Sequence, residues 1–288
     1  MAAHLVRAGH RVTGFNRSST RIDPLIAVGG QGGATLADAV HDKDAVVLML
    51  PSDTEVRDVL TGSGGVVEHA SPGTLLIDCS TISPPGAREH AALAREHGLR
   101  HLDAPVSGGE AGAKEAKLSI MVGGETADFE EARPILEAVG TTIVHVGPAG
   151  SGQIVKAANQ LIVAGILELL AEAILLMEAY DVFVPEALEI FKGGLAASAV
   201  LDQKGSTMPA RQQRPGARMS LHHKDLGILS QAAREVGVVL PLGSTVSQLM
   251  TASIAQGDAD LDHSAIINVI ERLARGTPAA DVPRVSSG

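Results

Sequence analysis

The chain has 288 residues, 45% of them apolar and 19% charged, with a formal charge of −10. Aromatics make up 2%, with no Trp and one Tyr; so few stacking rings on a negative chain exclude the usual nucleic-acid readers. The single cysteine, Cys79, excludes an internal disulfide and a cysteine metal cluster, and reads as a small buried hydrophobe. The length fits two domains.

A helical pattern over Met1–Ala8 stops at Gly9, a natural C-terminal cap. Arg11–Phe15 reads as a strand, and Pro24–Val28 and Leu36–His41 as short helices. Ala45–Leu50 is an apolar run of strand length ended by Pro51, and Thr54–Leu60 is helical. Leu75–Asp78 is another buried strand, followed by Ser80 and Thr81. A helix over Pro85–His97 closes at Gly98. His101–Val106, Leu118–Val122 and Thr142–Val146 are strands, with a helix over Ala127–Val139. Continuous apolar strands alternating with helices predict an α/β, Rossmann-like, mostly parallel sheet covered on both faces. After Gly152 the strands stop, and helical patterns fill 153–181, 185–192, 218–236, 241–256 and 263–275. The expected organisation is an α/β domain over 1–149, an all-α substrate and dimerisation domain over 150–275, and a disordered tail over 276–288.

No apolar run reaches about 18 uninterrupted residues, so no membrane span is expected. The nearest, Leu161–Met177, contains Glu168 and Glu172 and reads as a buried helix with a polar seam. The first residues lack the layout of a signal peptide, which places the protein in the cytoplasm. The eleven His are scattered. His90 and His97 lie two helical turns apart and His222 and His223 are adjacent, but neither pair has a third ligand, so no metal site is expected.

A dinucleotide-binding sheet opens with a strand, a Gly-x-Gly-x-x-Gly turn and a helix. This chain opens at what reads as that helix. The absent strand belongs between the Arg11–Phe15 and Ala45–Leu50 strands. A start placed too far downstream accounts for about a dozen residues or more; a natural variant with weakened cofactor binding is the alternative.

The most informative run is Gly147-Pro-Ala-Gly-Ser-Gly-Gln-Ile-Val-Lys156-Ala-Ala-Asn159. A glycine-rich turn enters a long apolar helix whose first turns carry Lys156 and Asn159 on one face. A helix N-terminus disfavours charged lysine and lowers its pKa, as acid–base work requires; the same spacing also suits a lysine that snorkels to solvent. Asp103-Ala-Pro-Val-Ser107-Gly108-Gly109 ends a strand in a hydroxyl and two glycines, whose N–H groups could cradle a carboxylate, and Gly112 extends the pliable stretch. Beyond the second expected strand stand Asn16, Arg17 and Ser18 where an acidic residue would mark NADH; an arginine beside hydroxyls suits a 2′-phosphate, favouring NADPH over NADH. A plain polar turn is the other reading. Leu50, Pro51 and Thr81 sit beyond carboxyl ends of strands, where ligands of open α/β sheets bind. Lys224 begins an amphipathic helix, either facing a cofactor or substrate anion or as an ordinary solvated ion pair.

These motifs resemble the β-hydroxyacid dehydrogenases, the family that includes 3-hydroxyisobutyrate dehydrogenase and tartronate semialdehyde reductase. Asp103–Gly109, Gly147–Asn159 and Lys224–Leu226 match three of its four signatures, and Met1–Gly9 looks like the tail of the N-terminal glycine motif. The resemblance covers 1–275 and implies Lys156 as catalytic acid–base, Ser107, Gly108 and Gly109 as carboxylate holders with Asn159 nearby, and Leu50, Pro51, Thr81 and Lys224 along the cofactor. It implies NADPH or NADH, no metal, a small carboxylate-bearing aldehyde and a homodimer or homotetramer. Lys156–Gln160, Leu201–Lys204, Pro215–Leu226 and Asp262–Ala265 look most like the tartronate semialdehyde reductase branch. Reduction of 3-hydroxyisobutyrate-type or succinic semialdehydes, and a non-catalytic binding or oligomerisation module, are the alternatives.

Overall fold

The computed structural model describes residues 1–214 and 216–275. The tail expected over 276–288 lies outside them. Two compact units divide between Asn159 and Gln160.

In the first unit the order is α1 (Ala2–Arg7), β1 (Thr13–Gly14), α2 (Asp23–Ile26), β2 (Gln31–Gly32), α3 (Leu36–Val40), β3 (Ala45–Leu48), α4 (Asp53–Thr61), α5 (Val66–His69), β4 (Leu75–Asp78), α6 (Pro84–Glu96), β5 (Arg100–Asp103), β6 (Val106–Ser107), α7 (Gly109–Glu115), β7 (Leu118–Gly123), α8 (Thr126–Glu137) and β8 (Gly140–Gly147). The main sheet runs β3-β4-β5-β7-β6, with β8 also on β7. β3, β4 and β5 are parallel, as their apolar sequences predict, and β8 is parallel to β7. β7, however, runs antiparallel to β5 and β6, so the sheet is mixed. The strand expected over His101–Val106 is two strands. Pro105 lacks an N–H and interrupts the ladder there, but Asp103, Val106 and Ser107 keep one register against β7, and the Pro105 carbonyl accepts from Met121 N at 3.1 Å.

Successive side chains of β4 face opposite ways. Leu75 and Ile77 join Leu102, Ile120, Phe129 and Leu136 in one core, while Leu76 joins Val56, Leu60, Ile82, Ala87 and Ala94 in the other. Helices therefore cover both faces, which is why the central strands read as unbroken apolar runs. β1 and β2 form a separate two-stranded parallel sheet. Among the described residues no ladder joins this pair to β3. β3 bonds to β4 alone in the sheet order, and its Val47 is 37% exposed although the strand reads Ala-Val-Val-Leu.

α9 (Ser151–Ala179) begins in the first unit and continues into the second. The second unit adds α10 (Val184–Gly193), α11 (Ala199–Lys204), α12 (Met219–Val236), α13 (Pro241–Ser253) and α14 (Ile266–Arg275), with no strand among its described residues. Leu201, Met208, Met219, Leu226, Val246, Met250 and Ile266 are buried there. Asp262, 1% exposed, accepts from Lys204 Nζ at 2.8 Å, Ala217 N at 3.0 Å and Gly216 N at 3.1 Å. Burial alone would raise its pKa, but Lys204 and these N–H donors hold the carboxyl well below the usual range.

By length and composition α9 is apolar enough to cross a membrane, a property that counting uninterrupted apolar residues did not detect. Its Glu168 is 6% exposed, and both carboxyl oxygens are buried without a hydrogen-bond partner. Burial, and then the charge of Glu172 one turn on, push the Glu168 carboxyl up to about 7. A raised carboxyl pKa contributes stability below the unfolded value that is lost as pH rises through the folded one. Glu168→Gln is therefore expected to raise Tm at pH 8 by more than at pH 5, with a gain of about 1 kcal/mol after solvent screening. Equal Tm changes at the two pH values would refute this origin of the shift.

Candidate active site

The first two turns of α9 are set by a buried carboxylate. Asp103, at the end of β5, is fully buried, and its Oδ1 accepts from Gly150 N at 2.7 Å while Oδ2 accepts from Gln153 N at 3.0 Å. Two otherwise orphaned N–H groups at the start of a helix are thereby satisfied, and negative charge is placed at its positive end. Space for the carboxylate comes from two glycines. A Cβ on Gly123 would lie 2.5 Å from Asp103 Oδ1, and one on Gly152 would lie 2.8 Å from Oδ2 and 2.4 Å from the Met121 carbonyl. Burial, partly offset by these N–H donors, raises the Asp103 pKa.

Gln153 extends the anchor. It is 1% exposed; its Nε2 donates to Ser80 O at 2.9 Å and its Oε1 accepts from Ile82 N at 3.1 Å. The loop carrying Thr81 is thus tied to the first turn of α9. Ser80 Oγ accepts from Leu50 N at 2.9 Å, which joins the loop after β3 to the same frame. Motif spacing singled out neither Asp103 nor Gln153 as an anchor, because their partners stand 47 to 73 residues away in sequence. The one available signal was their place inside the two glycine-rich motifs.

On that frame Lys156 is buried, and its Nζ donates to the Val106 carbonyl at 2.7 Å. The snorkelling alternative is thereby excluded. Asn159, one turn further on the same face, has its Nδ2 3.3 Å from Ser107 Oγ. Gly108 and Gly109 follow Ser107 with φ of 131° and 64°, two successive values that favour glycine. The stretch expected to be pliable is ordered, since Gly112 lies within α7. Lys156, Asn159, Ser107, Gly108 and Gly109 therefore come together in the first unit. The arrangement sets an ammonium group, a hydroxyl and an amide beside a glycine pair at positive φ, which suits an oxyanion next to a carboxylate.

The residues expected along a cofactor fall at strand ends. Asn16, Arg17 and Ser18 follow β1 and are exposed, and Asn16 Oδ1 accepts from Ser18 N at 2.9 Å. Leu50 and Pro51 follow β3, and Thr81 follows β4. An exposed guanidinium with hydroxyl and amide neighbours is chemistry that suits a phosphorylated ribose. Lys224 belongs to the second unit, in α12, with its Nζ 3.0 Å from Asp225 Oδ1. His222 Nδ1 lies 2.9 Å from His263 Nδ1, so the neighbour of His222 is His263 rather than His223.

The family model described as the NAD-binding domain of 6-phosphogluconate dehydrogenase matches residues 1–147. That described as the NAD-binding domain of NADP-dependent 3-hydroxyisobutyrate dehydrogenase matches 150–270. The 2-hydroxy-3-oxopropionate reductase of Escherichia coli is 36% identical over 274 residues, covering 95% of this chain and 94% of the relative. The NAD-dependent L-serine dehydrogenase of Pseudomonas aeruginosa is 38% identical, covering 92% of each chain. A solved structure of Mycobacterium tuberculosis 3-hydroxyisobutyrate dehydrogenase with L-serine has a TM-score of 0.82 at 36% identity, covering 93% of this chain and 94% of that one.

Proposed function

The chain belongs to the β-hydroxyacid dehydrogenase family, and we propose that within it this protein reduces tartronate semialdehyde to glycerate with NADPH, as a cytoplasmic homo-oligomer. It is a nicotinamide-dependent enzyme acting on hydroxyl groups. The observation that carries the reading is Lys156, buried on α9 with its Nζ at the Val106 carbonyl, next to Ser107. When bound, the reduced nicotinamide supplies a hydride to the aldehyde carbon. Lys156 donates a proton to the carbonyl oxygen as negative charge develops there, and accepts it back in the reverse direction. The N–H groups of Gly108 and Gly109, with Ser107 Oγ, hold the substrate carboxylate. Asn159, at Ser107 Oγ, orients that hydroxyl. The Val106 carbonyl points the ammonium group, so distance is set before substrate arrives. Ile162, Leu169 and Leu176, seven residues apart and more than 60% exposed on α9, support a second copy of the chain against that helix.

The test is NADPH oxidation with tartronate semialdehyde, compared with succinic and methylmalonic semialdehydes and, in the oxidative direction, 3-hydroxyisobutyrate and L-serine. The highest kcat/KM is expected for tartronate semialdehyde. A higher value for L-serine, the substrate in the name of the Pseudomonas relative, would move the assignment to amino-acid oxidation. Arg17→Asp is expected to lower the NADPH-to-NADH ratio of kcat/KM by about tenfold or more, through loss of a charge-assisted pair and gain of repulsion. An unchanged ratio would remove Arg17 from the ribose site.

A further inference from the structure

Asp78, His90 and His101 meet inside the first unit and have no role in the reaction above. Their meeting follows from the register. His101 on β5 is paired with Leu76 on β4, and Asp78, two residues beyond Leu76, projects from the same face of the sheet. That face is covered by α6, where His90 lies three residues after Ala87 and four before Ala94, both buried in the same core as Leu76. Asp78, His90 and His101 are 0%, 3% and 6% exposed. One donor atom from each lies within 4.8 Å of the other two. The imidazoles meet edge to face, at 67° with centroids 6.4 Å apart.

The polar atoms there are unsatisfied. Asp78 Oδ1 accepts from Ser80 N at 2.9 Å, but Asp78 Oδ2, His90 Nδ1 and both ring nitrogens of His101 are buried without a hydrogen-bond partner. Buried polar groups of native proteins are nearly always paired, so a cluster of such atoms converging on one point calls for a shared ligand. Two imidazoles and a carboxylate are the donor set of zinc and similar divalent ions. We propose that Asp78, His90 and His101 bind one divalent transition-metal ion, zinc by preference, which clamps β4, β5 and α6 together. Donors of a tetrahedral zinc site stand about 3.4 Å apart at bonds of about 2.0–2.1 Å, so the three side chains draw inward on binding. A water completes the coordination. The sequence reading expected no metal because it paired His90 with His97, its neighbour on the helix; the partners lie on two strands instead.

The full chain would be expressed in zinc-supplemented medium, purified without metal-affinity resin and dialysed against metal-free buffer. Elemental analysis is expected to find about one zinc per chain, as three protein ligands sharing a single ion require. Removing it with a chelator is expected to lower Tm, and adding Zn²⁺ to restore it. His90→Leu and His101→Leu are each expected to lose at least about tenfold in zinc affinity. Because either variant could misfold, Co²⁺ added to the metal-free wild type is a second readout; visible absorption bands of a low-symmetry nitrogen–oxygen site are expected. Wild type without bound zinc, without a Zn²⁺-dependent Tm and without Co²⁺ bands would overturn the proposal. Full zinc content in folded His101→Leu would also overturn it. A metal-free wild type whose His101→Leu variant melts higher would show instead that the three side chains hold only buried water, since apolar replacement of orphaned polar groups stabilises.

Discussion

Lys156→Ala is expected to lower kcat by about 10²–10⁴-fold, the range for losing a positioned general acid. KM for the aldehyde should change far less, because in the proposed site Ser107, Gly108 and Gly109, not the ammonium group, would hold the carboxylate. Transition-state stabilisation is then lost with ground-state binding retained, so kcat and kcat/KM fall together. The burial of Lys156 sharpens the test. Truncation leaves the Val106 carbonyl without this donor, at a cost of about 1–3 kcal/mol, so a melting curve must accompany the kinetics. Lys156→Arg separates charge from proton transfer. The guanidinium keeps a positive charge at the site but does not release its proton near neutral pH, so this variant should also be slow. If folded Lys156→Ala turned over within about twofold of wild type, against the 10²–10⁴-fold expected, the acid–base assignment would be lost.

Parts of the fold and of the candidate site are legible in the sequence, for reasons that differ from residue to residue. Lys156 and Asn159 were legible because helical spacing alone puts i and i+3 on one face. Leu75–Asp78 was legible because a strand buried on both faces reads as an unbroken apolar run. His101–Val106 reads as one strand and divides into β5 and β6 in one register on β7, because Pro105 has no N–H to give and interrupts the ladder. α7 escaped because Gly109 and Gly112 within it read as a pliable turn. β2 escaped because both its residues are exposed. The links from Asp103 to Gly150 and Gln153, and the meeting of Asp78 with His90 and His101, depend on strand register and on which helix covers which face. Neither is written in local periodicity. The polar residues that organise the first unit are therefore the ones that local spacing hid.

Asp103→Ala is expected to destabilise the protein by about 2–4 kcal/mol, more than any other polar truncation in the first unit. It leaves the Gly150 and Gln153 N–H groups buried and unpaired, and it opens space between Gly123 and Gly152. The consequence reaches the chemistry, because those N–H groups fix where α9 begins and hence where Lys156 sits two turns later. A shift of about 1 Å at a catalytic group can cost 10²-fold in rate, so kcat should fall in the fraction that stays folded. Asp103→Asn keeps the shape and one acceptor oxygen but sets an NH₂ against the other N–H, so it should fall between Ala and wild type. The pH dependence follows from the raised pKa of the native carboxyl, whose first cause is burial. A raised carboxyl contributes stability that is present below its unfolded value and is lost as pH rises through the folded one. The wild type has this contribution and the Asn variant does not. The stability gap between them should therefore narrow from pH 4 towards pH 8. Denaturant titrations across that range decide the matter. A gap that widens would mean that the N–H donors outweigh burial and that Asp103 acts on α9 chiefly as a charged cap.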